Sequence, residues 1–264
     1  MLISASLLLG REVVAVSELS GGDLSKVFRL HLSDGTTAIA KQAPLVAVEA
    51  RMLTAMRDAG VPVPAVMAQD GDVLVMEDIA AVGRAARSWV ELAEMLDILH
   101  STLGPHYGWP DDYAFGDVEI SNRPGRDWCS FWADQRLRCH LPFVDFSLGR
   151  RIEALCDRLG ELLPARPAPA LLHGDLWSGN ILFDNGGIAA LIDPACCFGD
   201  HEVDLAMLGL FDRPPAAFFD ACGPAQGWEQ RQPVYQLWPL LVHLRLFGGA
   251  YAQQAGACLG ALGF

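Results

Sequence analysis

Eight consecutive residues, His173-Gly174-Asp175-Leu176-Trp177-Ser178-Gly179-Asn180, hold the densest chemistry this chain could perform. An Asp followed five residues later by an Asn has the spacing of a kinase catalytic loop, in which the carboxylate takes the proton of an attacking hydroxyl and the amide oxygen holds a Mg²⁺. Asp175 fills the role of the base and Asn180 that of a metal ligand; taken singly, each is also an ordinary turn residue. Two short apolar runs, 181–183 and 188–192, flank the turn Asp184-Asn185-Gly186-Gly187. That pattern predicts a hairpin that brings Asp193 back beside Asn180 as a second hard-oxygen ligand. One carboxylate and one amide suffice for a Mg²⁺ that also takes nucleotide phosphates. His173 is expected to brace the turn, without a catalytic part.

Phosphoryl transfer also needs a cation on the nucleotide phosphates and a group to aim it. Lys41 and Glu49, eight residues apart, supply both, on a strand and on the helix that follows. Lys41 is one of only two lysines among 19 basic residues, and a compact ammonium suits a phosphate and a carboxylate together better than a planar guanidinium does. Gly21 and Gly22, in Ser20-Gly21-Gly22-Asp23, could bring backbone N–H groups to phosphate or could form a plain hairpin turn. An apolar run ending at Glu77-Asp78-Ile79 is where adenine would meet the backbone. Asp204 is expected to accept backbone N–H groups of the catalytic loop. Trp177 is read as stacking on a substrate ring. His201 and Glu202 could face the acceptor, although acids in the first turn of a helix are favoured by its dipole with no function at all. Trp128, Phe131 and Trp132 belong to the core, and Cys196-Cys197 are buried thiols.

The elements that must position these residues can be read from periodicity. Segments 13–19, 27–32 and 37–43 predict a three-strand meander, 46–59 a helix ended by Gly60, and 65–69 and 73–76 two more strands. From there the pattern is helical: 89–102, 128–141, 148–163, 203–211 and most of 228–262, with possible breaks at Pro233, Pro239 and Gly248-Gly249. The expectation is an α+β chain of two lobes, residues 1–78 binding nucleotide and residues 79–264 carrying catalysis and substrate. With 264 residues, 52% of them hydrophobic, a disordered chain is excluded. A formal charge of −13 argues against nucleic acid and anionic membrane surfaces as partners. Seven Cys with no CxxC pair, and no signal-peptide pattern, fit reduced thiols in a cytoplasmic protein.

The chain resembles the fructosamine kinase (ketosamine-3-kinase) family, within the aminoglycoside phosphotransferase-like and choline kinase-like group. The resemblance rests on Gly21-Gly22-Asp23-Leu24-Ser25, Lys41, Glu49-Ala50, the loop at 173–180, the segment 192–207, Gly227 to Arg231 and His243 to Gly248. It implies a protein-kinase-like fold, ATP and Mg²⁺ as cofactors, and phosphorylation of a sugar hydroxyl on a ketoamine, in protein or metabolite deglycation. By position, Asp175 resembles the family's base, Asn180 and Asp193 its metal ligands, Lys41 and Glu49 its phosphate-positioning pair and Trp177 a stacking residue. The chain departs from the family at Cys197, Asp200 and His201, where Tyr, His and Arg are usual, and at Ile120, where Gln is common; these departures bear on acceptor specificity. A small-molecule acceptor and a monomer or weak dimer are expected. The alternatives are an aminoglycoside, choline or homoserine-type phosphotransferase of the same fold, or a nucleotide-binding pseudokinase.

Overall fold

The structure, a computed structural model, describes residues 2–19, 25–81, 89–185 and 187–264. Gly21, Gly22 and the rest of the expected phosphate loop at 20–24 lie outside the described residues. The chain divides into two compact units, residues 1–91 with 179–194, and residues 92–178 with 195–264.

In the first unit, strands β1 (Val13–Leu19), β2 (Lys26–Leu32), β3 (Thr37–Gln42), β4 (Val66–Asp70) and β5 (Val73–Glu77) form one antiparallel sheet in the order β1-β2-β3-β5-β4. These are the five strands predicted from the apolar, β-branched runs. Leu30, Leu32, Ala38, Ala40 and Val75 bury one face together with Ala5 of an additional helix, α1 (Leu2–Leu9). Successive strand residues point to opposite faces, so Lys41, next to Ala40, points to the other face. There α2 (Val46–Asp58) buries Val46, Val48, Glu49, Met52, Leu53 and Met56. The hairpin at 179–194 also packs with this unit. The cause is hydrogen bonding: the Leu191 N–H donates to the Pro62 carbonyl at 2.9 Å, and the Ile188 N–H to the Glu91 carboxylate at 3.1 Å.

The second unit is mainly helical, although α3 (Trp89–His100) begins in the first; the rest comprises α4 (Trp128–Trp132), α5 (Phe146–Cys156), α6 (Leu159–Leu162), α7 (Glu202–Phe211), α8 (Ala216–Cys222), α9 (Trp228–Phe247) and α10 (Ala250–Ala261). Trp128, Phe131 and Trp132 are buried as expected, and the Trp128 ring stacks on Phe131 at 5.6 Å. Three predicted helices differ; the one expected over 148–163 is interrupted at Asp157 and Arg158, between α5 and α6. The segment expected as one helix over 128–141 leaves α geometry after Trp132 for a π turn (Ala133–Leu137) and a 3-10 turn (Arg138–Phe143). Within that π turn the buried Arg136 donates to the Ser121 carbonyl and the Asn122 amide oxygen, both at 2.6 Å, and lies over the Phe131 and Trp238 rings. Conversely, α9 runs unbroken through Pro233 and Pro239. Each proline costs about 3 kcal/mol in a helix interior, but Val234, Tyr235, Leu237, Trp238, Leu240, Leu241 and Val242 are all buried on this helix, and their packing outweighs it. The break at Gly248-Gly249 is present, with φ of 71° and 47°. A short hairpin, β6 (Tyr113–Phe115) with β7 (Val118–Ile120), was not predicted. Among the described residues no helix is long and apolar enough to cross a membrane.

One core residue predicts acid sensitivity. His140 is 1% exposed, and neither ring nitrogen has a hydrogen-bond partner among the described residues. Burial, and secondarily the positive charges of Arg245 and Arg136, push its pKa down from 6.5 to about 3. The folded pKa lies below the unfolded one, so the unfolded chain binds more protons between the two. The stability this residue contributes is full above about pH 6.5 and is lost as pH falls toward 3, at up to about 1.4 kcal/mol per pH unit. Denaturant titrations at pH 7, 6, 5 and 4 should show a His140→Leu variant losing stability with pH less steeply than the parent; parallel slopes would refute it.

Candidate active site

The first unit assembles a cation between two carboxylates. Lys41 Nζ donates to Glu49 Oε1 at 2.8 Å and to Asp193 Oδ1 at 2.7 Å. β3 supplies the lysine and α2 the glutamate, because the turn between them sets the first turn of α2 against the sheet face to which Lys41 points. Lys41 and Glu49 are 7% and 2% exposed, whereas the Asp193 side chain is 48% exposed. Pairing with two carboxylates offsets the cost of burying this side chain.

Asp193 arrives by the predicted hairpin. β9 (Ile181–Phe183) pairs antiparallel with β10 (Ile188–Leu191), and the Ile192 N–H continues the ladder to the Asn180 carbonyl at 3.0 Å. This places the residue before Asp193 directly across from Asn180. Asp193 itself has φ 52°, a left-handed conformation that Asp tolerates better than most residues. Asn180 closes a 3-10 turn (Ser178–Asn180) and is 5% exposed. An amide oxygen and a half-exposed carboxylate are hard donors of the kind Mg²⁺ takes. Among the described residues no group of three or more His, Cys, Asp or Glu could hold a metal ion alone. The donor set therefore fits a metal whose remaining ligands come from water and phosphate.

The second unit holds the start of the loop. Asp204 on α7 is fully buried, and its carboxylate accepts the His173 N–H at 2.8 Å and the Gly174 N–H at 2.9 Å, the bracing expected of it. Burial alone would raise its pKa; the hydrogen bond and charge of His100, the charge of His173 and the Gly174 N–H bring it below the ordinary value. Gly174 has φ 80°, and a Cβ there would run into the Ala195 carbonyl. The Ala195 N–H donates to the His173 carbonyl at 2.8 Å, so the loop is clamped from both sides. His173 is fully buried and its Nδ1 accepts the Asp175 N–H at 3.3 Å, which is the bracing role assigned to it. Asp175 is half-buried, Leu176 fully buried and Trp177 exposed, with the Trp177 ring edge-on to Phe211 at 6.5 Å. The Ser178 N–H donates to Asp212 at 2.7 Å.

Other expected site residues are placed differently. Glu202, expected to face the acceptor, is 2% exposed and bound through both oxygens to Arg231 at 2.6 and 2.7 Å and to the Ala225 N–H. The cause is the Arg231 guanidinium, which gives this acid in the first turn of α7 two charge-assisted hydrogen bonds. Asp200 is likewise 2% exposed and accepts from the Tyr235 hydroxyl at 2.7 Å, which in turn accepts from Trp128 Nε1 at 3.0 Å. Burial and the neighbouring Glu202 push the Asp200 carboxyl above its ordinary value. The departure at this position thus serves the core. His201 keeps a side chain 32% exposed, 3.5 Å from Asp200. Glu77 commits its N–H to the Ala65 carbonyl and its carboxylate to the Ala65 N–H, and Asp78 is paired with Arg29 through two bonds, while Ile79 accepts from the Ala81 N–H. A nucleotide contact at 77–79 would run through main-chain atoms.

Sequence reasoning missed His100 and Asp212. His100 carried a signal, since it lies seven residues after Ala93 and four after Leu96, on the apolar stripe of α3. Asp212, in the loop after α7, carried none.

The fructosamine kinase family model matches residues 3–262. A Thermus thermophilus protein named probable ketoamine kinase is 35% identical over 245 residues, 88% of each chain. A Synechocystis protein of the same description is 39% identical over 64% of this chain and 60% of its own length. A solved structure assigned to a fructosamine-3-kinase of Thermobifida fusca superposes with a TM-score of 0.90 at 32% identity, covering 99% of this chain and 98% of that one. An aminoglycoside phosphotransferase solved with AMP-PNP and hygromycin B shares the fold, with a TM-score of 0.68 at 19% identity, over 99% and 98% of the two chains.

Proposed function

The chain belongs to the fructosamine kinase family, and from that premise we propose that it is an ATP- and Mg²⁺-dependent kinase acting on a sugar hydroxyl of a ketoamine. The observation that carries the reading is Lys41 bound to both Glu49 and Asp193, with the hairpin returning Asp193 to Asn180. Lys41 would position the nucleotide phosphates, held by Glu49. Asn180 and Asp193 would hold Mg²⁺, which when bound neutralises phosphate charge. Asp175 would accept the proton of the acceptor hydroxyl as its oxygen bonds to the γ-phosphorus and the bond to the β,γ-bridging oxygen breaks, leaving ADP. Trp177, exposed beside the base in sequence, would stack on the acceptor's sugar ring. Catalysis of this kind is positioning and electrostatics more than covalent chemistry. His201, partly exposed, remains a proposed acceptor contact; Glu202 does not. Main-chain groups at 77–79 and at Gly21 and Gly22 are proposed to meet the nucleotide.

An acceptor screen with Mg-ATP tests this, reading both ADP and phosphorylated product. Ribulosamine and fructosamine conjugates should turn over faster than an aminoglycoside, choline or homoserine. Absence of turnover with every ketoamine would reject the acceptor class. Chelating the metal with EDTA should reduce phosphate transfer to the no-enzyme background, and added Mg²⁺ should restore it.

A further inference from the structure

We infer that His100 is a positioning residue for phosphoryl transfer, acting on the catalytic loop through Asp204; this rests on the role proposed for Asp175. His100 Nε2 lies 3.0 Å from Asp204 Oδ2, the oxygen that also accepts the His173 N–H, while Oδ1 accepts the Gly174 N–H. A carboxylate is acceptor-only, so His100 donates. Three donors arriving from two directions fix the plane of a fully buried carboxylate. That plane sets the direction of two successive N–H groups at the loop's start, and the next residue is Asp175. Gly174 takes a φ of 80° with the Ala195 carbonyl where a Cβ would stand, so the main chain at the loop's start is packed as closely as only glycine allows. Without His100 the carboxylate would keep its two main-chain donors but could rotate about them.

Space filling does not explain the residue. His100 borders a cavity of about 190 Å³, lined also by Leu96, Asp97, Ser101, His201 and Cys222. A side chain needed only to fill space could be aliphatic, whereas this one aims a ring nitrogen at a buried carboxylate. The His201 ring stands across from it, 5.8 Å between centroids. This cavity makes the inference testable by chemical rescue, since His100→Ala opens it further and added imidazole can enter with the missing N–H donor.

In His100→Ala, kcat should fall about 10- to 100-fold, the factor expected for losing one hydrogen bond to a charged group, with KM for ATP and acceptor within twofold. Imidazole should recover most of the loss, and His100→Gln, which keeps an N–H donor, should stay within threefold of the parent. Amide hydrogen exchange at His173 and Gly174 should accelerate in His100→Ala and slow again with imidazole. That exchange is read without turnover: if the parent phosphorylates no acceptor, the proposed function fails while exchange still reports on the brace. Unchanged kcat and unchanged exchange in a folded His100→Ala would overturn the inference. So would a loss that neither imidazole nor Gln relieves.

Discussion

An Asp175→Asn variant should lose about 10²–10⁴-fold in kcat, the range that general-base catalysis contributes, while keeping its fold and its affinity for nucleotide. Asn has nearly the shape of Asp, and Asp175 is half-buried, so the change removes basicity with little packing cost. The loop should stay in place because its anchors are elsewhere: Asp204 on the N–H groups of His173 and Gly174, the Ala195 N–H on the His173 carbonyl, and Asp212 on the Ser178 N–H. An interaction that matters only as the hydroxyl is deprotonated should lower kcat and kcat/KM together. Coupled ADP release with a saturating ketoamine, alongside a thermal melt, separates this from unfolding. An Asp175→Asn protein with parental kcat would reject the assignment of the base.

Lys41→Met should damage both activity and stability, and the two effects can be pulled apart. For activity, the ammonium is the expected donor to nucleotide phosphate, and removing one such preorganised group costs about 10²–10³-fold in rate. For stability, Glu49 is 2% exposed and would lose its cation. Breaking a buried pair from one side costs roughly 3–5 kcal/mol, and each kcal/mol lowers Tm by about 2–4 °C in a chain of this size. Asp193, at 48% exposure, can be rehydrated and adds little to that penalty. Replacing both partners, as Lys41→Met with Glu49→Leu, should restore most of the lost Tm, because matched apolar residues are tolerated where an orphaned charge is not. Activity should stay low in the double variant. Recovery of turnover together with Tm would show that the pair serves the fold alone.

These two residues show how unevenly the site could be read from sequence. Asp175 sits in a contiguous motif whose spacing matches a kinase catalytic loop, and the hairpin after it is written in a local turn between apolar runs. Lys41 was singled out by its rarity and its distance from Glu49. Its bond to Asp193, 152 positions away, had no sequence signature beyond the expectation that all three serve one nucleotide. At 77–79 the Asp78 side chain is paired with Arg29, so the proposed nucleotide contact there would run through main-chain atoms, whereas Glu202, expected at the acceptor, is buried against Arg231. An acid in a helix's first turn looks the same in sequence whether it faces substrate or pairs with an arginine such as Arg231. The helix dipole favours it either way, and the partner arrives from α9.

Local interactions settled the five antiparallel strands, α2 and the return hairpin, because turn chemistry and alternation act over a few residues, and motif spacing nominated the proposed base, metal ligands and phosphate lysine. Long-range packing settled the rest. The hairpin at 179–194 joins the first unit through bonds to Pro62 and Glu91, and α9 passes through two prolines on the strength of its buried face. Asp200 turns inward to Tyr235, and His100 reaches Asp204 across 104 positions. A buried polar group is worth what its partners make it, and those partners are chosen by the folded chain, not by its neighbours in sequence.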